Sequence, residues 1–260
     1  MLRGLWAAAS GMSAQRLTID VIANNLANVN TSGFKKSTVN FQDLMYQTTK
    51  MAGATTTDGG QIPTGIQVGM GALPVGVHKL FMQGDFELTD NELDLAIEGK
   101  GFFRVISNDE ERYTRSGNFK LNADGTIVTP TGDRLQPEMN VPDNTISLHV
   151  DQNGTVTAFD SEGLGTTLGV IELYTFANPA GLNSTGRNLY QATDASGDAT
   201  SGTPGFEGVG TIVQGVLEMS NVDVVKEMVS MIMAQRAYET NSKAIQTADS
   251  MMQLANNLKR

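Results

Sequence analysis

The chain has 260 residues and a mass of 27.7 kDa, room for two modest domains, with 40% hydrophobic and 6% aromatic residues. That composition suits ordinary folding but not one large, aromatic-rich core. Cysteine is absent, which removes disulfide frameworks, zinc knuckles, thiolate nucleophiles and iron–sulfur clusters together and fits passage through an oxidising compartment. Eighteen basic against 28 acidic residues give a net charge of −10, so nucleic acid and anionic membrane are poor partners.

The charge is uneven along the chain. Residues 1–47 hold four basic and two acidic residues, residues 214–260 hold five of each, and 48–213 hold nine basic against 21 acidic. Two nearly neutral ends, at +2 and zero, flank a centre at −12.

At the N-terminus, Arg3 followed by Leu5-Trp6-Ala7-Ala8-Ala9 faintly imitates a secretory signal. The apolar run is five residues, short of the roughly 7–15 such a signal needs, and it continues into a longer periodic pattern. It reads as mature protein. No stretch approaches the roughly 18 apolar residues of a membrane span.

That pattern is a heptad seam. Leu5, Ala8, Met12, Gln15, Ile19, Ile22, Leu26 and Val29 recur at alternating spacings of three and four, and only Gln15 among them is polar. The spacing predicts a long helix with a coiled-coil face. Thr31-Ser32-Gly33 supplies its stop, with Gly33 suited to the left-handed conformation. Residues 47–71, rich in Thr, Gly and Ala, read as an extended connector. Gly65, Gly69 and Gly71 lack a following Lys-Ser/Thr, so they mark a loop needing backbone freedom and not a phosphate loop.

From about residue 76 the pattern turns to short alternating runs. Asn118–Leu121 and Thr126–Thr129 around Gly125 read as a β-hairpin, and Ile146–Val150 and Thr155–Phe159 around Gly154 as another. Further strands are expected at Asp94–Ile97, Gly101–Ser107, Val170–Phe176 and Gly210–Leu217. Asp151, Asn153, Thr155 and Thr157, with Glu162, imitate calcium-loop spacing. Val156 stands where that loop needs glycine, and the hairpin pattern contradicts helix–loop–helix. His78 and His149 have no metal-ligand or nucleophile motif beside them. Asp109-Glu110-Glu111 reads as a solvated turn before it reads as an acid/base pair.

The C-terminus repeats the opening design. Met231, Ala234, Tyr238, Asn241, Ile245, Ala248, Met252 and Ala255 form a second three/four seam, with Val222, Val225, Val229 and Ile232 one residue out of phase upstream. Ser220 or Asn221 is the expected N-cap. An internal antiparallel helix pair closing one domain is one explanation. The alanine-rich seams leave little apolar area for a single pair, however, and favour cover by neighbouring subunits.

The run Val21-Ile22-Ala23-Asn24-Asn25-Leu26-Ala27-Asn28-Val29-Asn30-Thr31-Ser32-Gly33-Phe34-Lys35 resembles the N-terminal signature of the bacterial flagellar axial proteins, the rod and hook family. Leu95–Phe103, Tyr113–Phe119, Gly215–Val222 and Gln235–Glu239 match the same family in order. Together the motifs span essentially the whole chain. Its length, with Phe41–Gln47 and Pro63–Gly71, favours the distal-rod branch of the family. Met70 departs from the small polar residue expected there.

The resemblance implies a mainly β fold with long helical termini. In it an inner coiled-coil domain forms from residues 1–46 and 214–260, with a connector at 47–75 and an acidic all-β outer domain at 76–213. It implies a structural subunit, not an enzyme and without cofactor or metal. Such a subunit polymerises with itself, meets proximal rod proteins, the hook protein and surrounding ring proteins, and transmits torque. It also implies export without a cleaved signal and a place outside the cytoplasm. The seam residues named above (Leu5, Ala8, Met12, Ile19, Ile22, Leu26, Val29, Met231, Ala234, Tyr238, Ile245, Ala248, Met252, Ala255) would be the inter-subunit contacts. Asn24, Asn25 and Asn28 either hydrogen-bond between subunits or supply only surface polarity and helix termination, Leu26 and Ala27 lie within the same motif, and Gly33 and Phe34 form the turn and its anchor. The competing expectations are another axial protein (proximal rod or hook) and, from other classes, a secreted polysaccharide-binding β-module, opposed by the low aromatic content, and a hydrolase, which would need a carboxylate pair assembled in space.

Overall fold

The computed structural model describes residues 2–53, 63–206 and 208–258. It is mainly β, with one long helix near each end: α1 (Leu2–Ala27) and α2 (Val224–Leu258). The chain forms two units. One comprises Met1–Leu26, Ser37–His78 and Val224–Arg260, the other Ala27–Lys36 and Lys79–Asp223.

In the first unit the helices run antiparallel. Asn25 Nδ2 donates to Glu227 Oε2 at 3.1 Å, and a Cβ on Gly11 would stand 2.8 Å from Asn241 Nδ2. Fourteen residues back along α1 thus match fourteen forward along α2. Ala14, Ile22 and Ala234 are buried on the facing sides, where small residues let the backbones approach. The helix pair within one chain, the alternative left open by the sequence, is therefore present.

Among the described residues this unit also holds a ribbon of four strands: β1 (Ser37–Asp43), β2 (Tyr46–Lys50), β3 (Ile66–Gly69) and β4 (Ala72–Lys79). β1 pairs with β4 and β2 with β3, with Tyr46 opposite Gly69 and Gln47 opposite Val68. Much of the expected connector is thus paired strand, because Tyr, Thr, Ile and Val alternate there with polar residues. Its part at 54–62 lies outside the described residues. Gly71 has the positive φ of 122° that only glycine adopts readily. A Cβ there would stand 2.1 Å from Ser10 Oγ.

The second unit is built on antiparallel strands. A seven-stranded sheet runs in the order Asn183–Gly186, Leu189–Gln191, Glu110–Thr114, Phe103–Ser107, Arg134–Gln136, Ile127–Val128, Lys120–Leu121. A three-stranded sheet joins Thr145–Val150, Thr155–Asp160 and Gly165–Val170. Along Phe103–Ser107 burial alternates, with Phe103, Val105 and Ser107 inside, as a sheet with one covered face requires. Both expected hairpins form, with Ile127 opposite Leu121 and Val150 opposite Val156. Gly125 and Gly154 take left-handed φ of 74° and 82° at their tips. The calcium-like residues Asp151 and Asn153 therefore sit at a hairpin tip.

Five aromatic side chains gather in one place. Phe102, Tyr113, Tyr174, Phe176 and Tyr190 make a second small core with Leu182, and Phe81 meets both Phe102 and Tyr190 edge-on. Burial pushes the Tyr113 and Tyr174 hydroxyls up to about 12, with Glu111 and Glu172 respectively adding to the effect.

Candidate assembly site

On α2 the covered face carries Glu227, Met231, Ala234, Asn241, Ile245, Ala248 and Met252, all buried or half-buried. The three/four seam was legible, and it extends upstream to Glu227. Tyr238 and Ala255, also expected on the seam, are exposed in the single chain. The out-of-phase residues Val225, Val229 and Ile232 lie on the opposite side, since 3.6 residues per turn places them about half a turn from Glu227 and Ala234. Val225 is 70% exposed, Met233 67% and Ile232 49%, with Met228 and Val229 beside them. An apolar stripe of about two and a half turns thus faces outward.

On α1, Leu5, Ala8, Met12, Ile19 and Leu26 are half-buried and Ile22 is buried. Val29 is not on the helix. The helix ends at Ala27, and Val29 lies in a turn closed by Thr31 N donating to Asn28 O at 3.2 Å.

Near the helix end Asn25 engages the next strand's backbone. Its Oδ1 accepts from Ser37 N and its Nδ2 donates to Ser37 O, both at 2.9 Å. This buried amide mimics a β-ladder partner and is committed within the chain, contrary to the expected inter-subunit role. Asn24 and Ala27 are exposed, whereas Asn28 is half-buried in the turn that Thr31 closes.

Gly33 and Phe34 sit in the second unit. Gly33 has φ 70°, its N donates to Glu218 O at 2.7 Å, and a Cβ would meet Ser116 N at 2.6 Å. It therefore serves a close backbone approach several residues beyond the helix, not the helix cap expected of it. Phe34 is buried, with Lys79 Nζ 4.7 Å from its ring centre.

The sequence reading missed a buried ionic centre in this second unit. Lys35 Nζ donates to Glu218 Oε1 at 2.6 Å, with both side chains 1% exposed. Arg115 Nε donates to Glu218 Oε2 at 2.8 Å. The Arg115 terminal nitrogens also reach the carbonyls of Gly101, Ile97 and Gly99 at 2.6, 3.1 and 2.8 Å. Burial alone would raise the Glu218 carboxyl. Arg115 and Lys35 outweigh burial and hold it below the usual carboxylate range.

Asn221, expected as an N-cap, is instead a bridge. It accepts from Lys36 N at 2.8 Å and donates to Leu80 O at 2.9 Å. α2 begins only at Val224.

Elsewhere, Glu110 pairs with Arg112 and Glu111 with Arg104 at 3.0 Å, with Glu110 and Glu111 both exposed. These carboxylates flank the left-handed turn at Asn108 and Asp109, a solvated hairpin end. Among the described residues, no group of three or more His, Cys, Asp or Glu is placed to hold a metal ion. No described helix is long and apolar enough to cross a membrane.

Comparison with known proteins bears on all of this. A profile for flagella basal body rod proteins matches residues 5–35. A flagellar hook protein FlgE/F/G D1 domain profile matches 96–158, and a flagellar basal body rod FlgEFG C-terminal profile matches 213–258. The flagellar basal-body rod protein FlgG of Borreliella burgdorferi is 47% identical, with 100% of each chain covered. FlgG of Caulobacter vibrioides is 45% identical over 99% of this chain and 100% of its own. FlgG of Bacillus subtilis is 42% identical with both chains fully covered.

The chain belongs to the FlgG family of flagellar basal-body rod proteins. A solved Helicobacter pylori hook protein, FlgE2, aligns over 71% of this chain and 43% of its own at 14% identity and TM-score 0.24, too distant to carry an argument. Within this FlgG-family chain the three profile windows each supply one charge of the buried centre: Lys35, Arg115 and Glu218.

Proposed function

We propose that this chain is a structural subunit of the distal rod, polymerising with copies of itself into a tubular shaft. The shaft transmits torque from proximal rod proteins to the hook protein and turns within surrounding ring proteins. It is exported without a cleaved signal, acts outside the cytoplasm and catalyses no reaction. In this reading the expected coiled-coil domain of 1–46 and 214–260 narrows to the helix pair with its ribbon, 1–26, 37–78 and 224–260, and the expected β domain of 76–213 widens to 27–36 and 79–223.

The observation that supports it is the apolar stripe of Val225, Met228, Val229, Ile232 and Met233 on the face of α2 turned away from the covered seam. A helix apolar on two faces needs two sets of neighbours, and one chain supplies one set. Leucine-sized side chains left in water forgo roughly 1.5–3 kcal/mol each, so self-association recovers a substantial free energy per subunit. A polysaccharide-binding module is disfavoured by the low aromatic content, 6% of the chain, of which five rings are buried together in one cluster.

Electron microscopy of the purified full chain tests this reading. Straight, narrow tubes are expected as concentration rises. A chain that stays monomeric at every concentration and salt condition overturns it.

A further inference from the structure

The chain passes between its two units four times, at 26/27, 36/37, 78/79 and 223/224. The eight residues at those crossings are Leu26, Ala27, Lys36, Ser37, His78, Lys79, Asp223 and Val224. Three segments of the second unit carry them: residues 27–36, the stretch beginning at Lys79, and the stretch ending at Asp223.

Each of these segments is hydrogen-bonded to the other two. Leu80 N donates to Lys36 O at 2.9 Å, joining the first and second. Lys35 Nζ reinforces them by donating to Met82 O at 2.6 Å. Lys36 N donates to Asn221 Oδ1 at 2.8 Å, and Gly33 N to Glu218 O at 2.7 Å, joining the first and third. Asn221 Nδ2 donates to Leu80 O and Met82 O at 2.9 and 3.1 Å, and Glu218 Oε1 accepts from Gly84 N at 3.0 Å, joining the second and third. Lys35, Glu218 and Asn221 thus close a triangle of backbone segments.

We infer that this triangle is a force-sharing clasp, with Asn221 as its positioning residue: it makes the three segments bear force together. The inference rests on the polymer reading above. A buried ion pair is weak evidence of net stability, and one attested use is to fix a single arrangement. Here the arrangement they fix is that of the segments any torque must traverse. Cross-bonded segments share a shear load, whereas separate strands would extend one at a time.

The test compares the full-length chain with Asn221→Ala and Asn221→Asp. Asn221→Asp keeps an acceptor for Lys36 N but cannot donate to Leu80 or Met82. Hydrogen exchange in Asn221→Ala should quicken at least tenfold at the Lys36 amide, which loses its acceptor, and at the Leu80 amide, whose own acceptor Lys36 O is freed with it; in Asn221→Asp, which still accepts from Lys36 N, both should stay slow. Ile127 and Val156 should be unchanged in both. Tubes of Asn221→Ala should still form but bend more, with a persistence length at least halved.

Exchange that rises evenly across the second unit overturns the clasp. Local exchange with unchanged tube stiffness overturns its mechanical role. Failure of the unsubstituted chain to form tubes overturns the polymer reading instead, and it is seen before any variant is made.

Discussion

At Gly33 the backbone is turned to φ 70° and pressed against Ser116, so Gly33→Ala meets strain and a clash together. Left-handed strain alone costs about 1–3 kcal/mol, and the nearest atoms are backbone that cannot swing aside. Urea unfolding of the second unit should show a loss of at least about 1 kcal/mol. An unchanged midpoint would mean that the approach to Ser116 relaxes freely. Glycine and the phenylalanine after it were legible from turn chemistry, although the turn serves a backbone approach and not a helix cap. Glu218 was not legible as buried. It follows Val216 and Leu217 in a strand whose outward side could as well have been its own, and its two cations lie 183 and 103 residues away. Its lowered pKa fixes a sign: the unfolded chain binds more protons, so the stabilisation is present above about pH 4.5, the unfolded value, and lost as pH falls through the folded one. Glu218→Gln leaves Lys35 and Arg115 buried without a counter-charge and should cost roughly 3–5 kcal/mol at pH 7. Unfolding measured from pH 7 to 3 should show the gap between the two proteins narrowing in acid. A gap constant across that range would remove Glu218 ionisation from the account.

Among the elements, α2 tests how far periodicity reaches. The seam Met231, Ala234, Ile245, Ala248 and Met252 was legible because 3.6-residue geometry puts three/four spacings on one face. What periodicity could not say is which of two apolar faces the chain covers itself. Asn25 and Glu227 decide that by pairing α1 with α2 inside one chain, and the spacing of leucines carries no trace of it. The consequence is a contrast between two substitutions. Ile22 is buried within the first unit, so Ile22→Asp places a charge without a partner inside it and should unfold the helix pair, seen as lost helical circular dichroism. Ile232 faces outward, so Ile232→Asp should leave helicity intact, within about 0.5 kcal/mol of the original stability, while abolishing tubes. Equal helix loss in both variants would place Ile232 in the chain's own core. Tubes surviving in Ile232→Asp would remove the stripe from the assembly interface. The ribbon of β1–β4 shows the complementary limit. Its glycines suggested an open loop, yet Gly65 and Gly69 are the places where neighbouring backbone and the Tyr46 ring come closest.

For the whole molecule, the uneven charge becomes a statement about assembly. The sequence made mainly β architecture with helical ends legible because hairpin turns and heptad seams are local signals. The four crossings between units depend on distant pairings and were not. Net charge needs no pairing to be read. Each chain carries −10, and the excess lies in residues 48–213 at −12 while the helical ends are close to neutral. Bringing copies together through apolar helices therefore concentrates like charge carried elsewhere on the chain, and the repulsion opposes the hydrophobic gain. Screening acts on one term and spares the other: the Debye length falls from roughly 30 Å at 0.01 M salt to about 8 Å at 0.15 M, whereas burial of Val225 or Ile232 is not screened. The concentration at which tubes appear should accordingly drop several-fold between those salt concentrations, as sedimentation of assembled material would measure. A critical concentration that rises with salt would mean that attraction between opposite charges on neighbouring copies drives assembly, and the apolar stripe would lose its leading place.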